Sequence, residues 1–186
     1  ITQENDKSLW LYSADCIPIL IADTKTRTIG ACHTGLKGLQ KNILSKLIIK
    51  LENIGCKKKN LIIAMGPAIN RNNYEVNSED IDHLLAEVTA SKIIESPSNI
   101  YESQVKYLIP KLKIDISPKK LLFDIQIAAT LQLIYTGIIK DQIHINRLCT
   151  FSNPKLFNSW RRDHSSLRQW SCIYSKINIE NNSFLI

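Results

Sequence analysis

Residues 17–22 read IPILIA, apolar at every position. The run is too short for a buried helix, and a strand without a polar side must be covered on both faces. It therefore demands a sheet with other layers packed on it. KSLWLYS at 7–13 and TIGACH at 28–33 are also rich in strand formers, and DTKTR makes the turn between the second run and the third. NLIIAMG at 60–66 is another apolar strand, QIHINRLC at 142–149 alternates like one, and RQWSCIYSKI at 168–177 reads as the last.

Helical spacing fills the gaps. One helix is expected from about residue 37 to 52, with Leu39, Ile43, Leu47 and Leu51 as its buried stripe and Gly55 as its stop. A second starts at Ser78 as cap and buries Ile81, Leu84, Leu85 and Val88. A third lies within 123–137, carried by Ile127, Leu131 and Ile134, with Gly137 at the C′ position. Gly and Pro exclude regular structure from GPAINRNNYEV. Residues 95–120 hold three of the six prolines and no period, and are expected to form a surface connection. Strands and helices interleaved without repeat or linker predict a single α/β domain over residues 1–186.

The formal charge of +7 is scattered, and its densest run, CKKKN at 56–60, falls in a turn. A nucleic-acid interface gathers its cations on one face, so the pattern favours a solvated surface suited to a small anionic ligand over nucleic acid. No run of eighteen apolar residues exists to cross a membrane, and ITQENDKSLW is not a signal peptide. Five cysteines without CxxC spacing predict free thiols in a reducing cytoplasm. The chain starts with Ile1 and enters a strand within a few residues, so an upstream part is expected to be missing.

Two constellations carry chemistry. Cys16 follows one strand and His33 ends another, so a sheet edge can bring them together. They can be two ligands of a metal such as zinc, a thiol nucleophile with its base, or a buried thiol beside a histidine; Asp15 can orient either the imidazole or a water. The second constellation is CTFSNPKLFNSWRRDHSSLRQ at 149–169. Arg161, Arg162 and Arg168 can grip phosphate, and Trp160 and Phe157 can stack on a purine, while a solvated charged turn explains the same letters. His164 is a secondary acid–base candidate or a surface histidine, and His83, within the second helix, is a minor functional candidate. Met65 ends a strand as a core residue, which makes a copper site with a methionine ligand the less favoured metal centre.

ADCIPILIAD, ACHTGLKGL, GPAI with YEV, and FNSWRRD with LRQ occur in an order that resembles the YfiH/YlmD-like family. This family was once called laccase-like or multicopper polyphenol oxidase and is now described as purine nucleoside phosphorylase with adenosine deaminase activity. The resemblance runs through almost the whole chain. It implies a layered α/β sandwich similar to the cysteine-hydrolase-like toxin fold, and zinc held by two histidines and a cysteine, of which Cys16 and His33 would be two. It further implies that purine nucleoside and phosphate are the substrates: adenosine, inosine, guanosine and S-methyl-5′-thioadenosine. Catalytic roles would fall to Cys16, His33 and Asp15, and substrate binding to Lys37, Arg161, Arg162, Arg168 and Trp160.

Three departures stand against this pattern. The family's remaining metal histidine belongs to a segment upstream of Ile1, and neither His83 nor His144 stands in its place. HTGLKG has Leu36 and Lys37 where Trp and Arg are usual, and Ala68 replaces a cysteine. The alternatives are an inactive remnant of the enzyme, a Cys–His hydrolase, or the copper-dependent polyphenol oxidase of the older family name.

Overall fold

The structure is a computed structural model that describes residues 1–81, 84 and 107–176. Its centre is a four-stranded sheet built from β2 (Ile17–Asp23), β3 (Ile29–Thr34), β4 (Leu61–Met65) and β8 (Ile143–Ile145), in the order β3-β2-β4-β8. β2 runs antiparallel to both neighbours, and β8 adds parallel to β4. Ile17, Ile19 and Ile21 are sealed on one face of β2, while Leu20 and Ala22 on the other are half-buried. Full burial contributes about 1.5–3 kcal/mol for each such isoleucine, which is why this run sits inside the sheet rather than at its edge.

β1 (Lys7–Ser13) pairs antiparallel with β9 (Gln169–Ser175) in a separate two-stranded ribbon. A third sheet has the order β5-β7-β6, from β5 (Glu75–Asn77), β6 (Lys113–Ser117) and β7 (Lys120–Phe123). This corrects the expectation for residues 95–120: the part within 113–120 pairs as strands, and residues 107–112 are helical. Alternation there is hidden because β6 is mostly exposed and its ladder is irregular between Asp115 and Ser117.

The helix expected over 37–52 is two helices, α1 (Leu36–Gln40) and α2 (Ile43–Asn53). Asn42 breaks them apart in the left-handed region, at φ 53°. The break shifts the helical phase, so Leu44, Ile48 and Leu51 are buried in α2 and Ile43 and Leu47 are only partly so. Gln132 ties the joint: its Nε2 donates to the Leu39 carbonyl and the Asn42 side chain, and its Oε1 accepts from the Leu44 N–H.

Gln132 belongs to α3 (Ile125–Tyr135), which is buried at every position from Ile125 to Ile134. The Asp124 carboxylate caps it by accepting from the Ile127 N–H, and Gly137 follows its end at φ 92°. A second α3 glutamine, Gln126, donates to the carbonyls of Gly66 and Asn146 and holds the ends of β4 and β8. Residues 78–81 are helical as expected, but Ser78 lies inside the turn and its hydroxyl donates to the Pro118 carbonyl. His83 lies outside the described residues. All five cysteines are unpaired, and no described helix is long and apolar enough to cross a membrane.

Candidate active site

The β1–β2 turn, Ala14-Asp15-Cys16, sits where the central sheet meets the ribbon. Asp15 turns the chain at φ 86°, a left-handed conformation that Asp tolerates better than most residues. Its carbonyl accepts from the Ile69 N–H. Its buried carboxylate is fully engaged, with Oδ1 accepting from the Thr150 hydroxyl at 2.6 Å and Oδ2 from the Arg161 N–H at 2.7 Å. Asp15 thus fastens the start of the short helix α4 (Trp160–Asp163) beside the Cys16 turn.

Cys16, His33, Asp15, Trp160, Arg161 and Arg168 all line one pocket of about 360 Å³, together with Ala14, Ile69, Tyr74 and Ile125. Residues more than 140 positions apart in sequence are therefore brought together. His33 is exposed on β3, opposite Pro18 of β2. Its Nδ1–H donates to the Tyr12 carbonyl at 2.9 Å, because a carbonyl can only accept. In the neutral ring this fixes Nε2 as the nitrogen free to accept a proton or bind a metal.

Burial pushes the Cys16 thiol up, the Asp15 carboxylate adds to the shift, and Arg168 opposes it. A thiol held this way is a poor nucleophile unaided, which works against the Cys–His hydrolase reading. As metal donors, Cys16 and His33 offer one sulfur and one nitrogen. Catalytic zinc commonly takes three protein ligands, and no group of three His, Cys, Asp or Glu suited to a metal is assembled among the described residues. Among the described residues the donor set is therefore incomplete for zinc. Met65 is buried in the core on β4, as expected, and does not line the pocket.

The arginines divide by role. Arg161 donates from Nη1 to the Glu75 carbonyl, and Arg168 from Nη1 to the carbonyls of Ser165 and Leu167. The Nε–Nη2 edge of each makes no hydrogen bond to a described residue and remains available to an anion. Arg162 is different: its fork donates to both oxygens of Asp163 and to the carbonyls of Thr150, Phe151 and Phe157. Every N–H is used, and the residue does not line the pocket. Its guanidinium clamps the loop that carries Thr150.

Lys37 also stands apart. It is exposed on α1 and absent from the pocket lining, as are His144 on β8 and Phe157. His164 meets the Trp160 ring edge-on at 5.0 Å. The residue that sequence reasoning passed over is Tyr74, whose hydroxyl is pushed up to about 12, chiefly by burial. It stays a protonated donor throughout the physiological range. Only its place in YEV, just after the irregular GPAI loop, hinted at a pocket position.

The profile of the family described as multi-copper polyphenol oxidoreductase laccase matches residues 1–176, and the chain belongs to that family. It is 31% identical over 175 residues to a Synechocystis protein named purine nucleoside phosphorylase, covering 94% of this chain and 66% of that one. A Rickettsia conorii protein of the same name is 32% identical over 164 residues, covering 88% and 60%. The crystal structure of YlmD from Geobacillus stearothermophilus superposes with a TM-score of 0.75 at 25% identity, over 91% of this chain and 57% of that one. Bacillus licheniformis YfiH gives 0.74 at 26%, over 91% and 58%. The expected α/β sandwich of the YfiH type is the fold observed. The chain spans less than two thirds of the length of the curated relatives it matches.

Proposed function

We propose that this chain carries the active-site part of a purine nucleoside phosphorylase. The observation that carries the reading is the convergence of two guanidinium groups, Arg161 and Arg168, with the Trp160 ring around Cys16 and His33 in one pocket. In the reaction a phosphate oxygen attacks C1′ of the ribose and the bond from C1′ to the purine nitrogen breaks. The purine leaves with the proton that phosphate gives up, and ribose 1-phosphate remains.

Arg161 and Arg168 neutralise and orient phosphate. Trp160, half-exposed at the rim, offers a stacking surface to the purine. Asp15 keeps Arg161 in register with the Cys16 turn, and His33 presents Nε2 as acceptor or donor for a proton or for a metal completed elsewhere. Adenosine, inosine, guanosine and S-methyl-5′-thioadenosine are the substrates we assign, with hydrolysis of adenosine to inosine as a side reaction.

Adenosine incubated with the protein, with and without inorganic phosphate, tests the reading. Adenine together with ribose 1-phosphate, formed only when phosphate is present, supports it. Inosine alone would reassign the site to deamination, and no product with or without added zinc would overturn the phosphorylase reading.

A further inference from the structure

The Arg161 guanidinium lies over the Tyr74 ring, 5.2 Å from its centroid. This is within the range where the negative face of an aromatic ring attracts a cation. The ring is itself anchored. The Phe123 N–H donates to the Tyr74 carbonyl at 3.0 Å, and the Phe123 side chain, completely buried at the end of β7, meets the Tyr74 ring at 6.5 Å and 48°. Arg161 is thus held at three points: its N–H by Asp15, its Nη1 by the Glu75 carbonyl next to Tyr74, and its planar face by Tyr74.

We infer that Tyr74 is a positioning residue for Arg161, acting through the face of its ring so that the Nε–Nη2 edge, which makes no hydrogen bond to a described residue, is preorganised for an oxyanion. The inference rests on the phosphate-binding role proposed above for Arg161. An arginine on a flexible stem must order several torsions when it grips an anion, and a ring that already holds the guanidinium plane removes much of that cost. The third sheet thereby reaches the pocket: Tyr74 directly precedes β5, Glu75 is the first residue of β5, and Phe123 ends β7. Nothing in the spacing of YEV and SWRRD foretold the contact.

Binding of inorganic phosphate, measured by titration calorimetry without nucleoside, separates ring from hydroxyl. Tyr74→Phe keeps the ring and is expected to bind within about two-fold of the natural protein, while Tyr74→Leu weakens binding about ten-fold. Arg161→Gln causes a loss at least as large, and adding Tyr74→Leu to it changes nothing further, because both act through one guanidinium. Should Tyr74→Leu fold poorly by circular dichroism, Tyr74→Met fills similar volume without a ring and takes its place.

Unchanged binding by the ringless variant overturns the inference. So does an equal loss in Tyr74→Phe, which would move the effect to the hydroxyl, or full additivity with Arg161→Gln. Phosphate binding with the expected Tyr74 dependence but no release of purine would sink the phosphorylase reading and leave the positioning role standing. A natural protein that binds no inorganic phosphate overturns the positioning role whatever turnover shows.

Discussion

A methyl group on Gly35 would lie 2.7 Å from the Cys16 Sγ. The Gly35 backbone is extended, at φ −105°, so alanine is free to adopt its conformation and only the missing Cβ is required. Gly35→Ala is expected to push the thiol out of its place while leaving the sheet intact. A shift of about 1 Å at a reacting centre costs on the order of 100-fold in rate. Phosphorolysis assays beside a thermal melt check this, and full activity would mean that the position of Cys16 does not matter.

The split between Arg161 and Arg162 gives opposite variants. Arg162→Lys replaces a fully used fork with a point charge and is expected to lower the melting temperature by several degrees. Arg161→Gln leaves the melt nearly unchanged and raises the KM for phosphate about ten-fold or more, with less effect on the KM for nucleoside. Reversal of the pair would exchange their roles.

Gln132 is a buried residue whose side chain serves the α1–α2 joint. Gln132→Leu leaves the Leu44 N–H and the Leu39 carbonyl without that partner and is expected to cost about 2–3 kcal/mol in urea unfolding. A loss below about 0.5 kcal/mol would mean that the break at Asn42 needs no such tie.

Asp23 closes the turn after β2. Burial pushes its carboxyl up, but the N–H groups of Thr26, Lys25 and Lys57 and the Thr26 hydroxyl outweigh that and hold it below its ordinary value. The unfolded chain therefore takes up a proton at higher pH than the folded one. The stabilisation is present above the usual aspartate range of about 4 and is lost as pH falls through the lower folded value. Unfolding from pH 6 downward, compared with Asp23→Asn, should show a smaller pH dependence in the variant.

The central strands were legible because IPILIA and LIIAM carry their burial in composition, and α3 because Ile127, Leu131 and Ile134 keep helical spacing ahead of a Gly stop. The α1–α2 break was not, because Asn42 is a weak local signal inside a continuous apolar stripe and the joint is tied by Gln132, some 90 residues away. Cys16, His33, Asp15, Trp160, Arg161 and Arg168 were found as residue types able to do chemistry. Arg162 has the same letter as Arg161 and a different job, set by the carbonyls that the loop at 150–157 turns toward it. Tyr74 reads as an ordinary core aromatic until the third sheet is folded against α4.

The phosphate dependence of purine release tests the account most directly. The natural chain, Cys16→Ala and the double variant Arg161→Gln, Arg168→Gln are compared with adenosine over a range of phosphate concentrations, with and without added zinc. The account predicts saturable release of adenine by the natural chain, loss of turnover in Cys16→Ala, and loss of phosphate saturation in the double variant. Adenine release independent of phosphate, or untouched by removing both arginines, would contradict it.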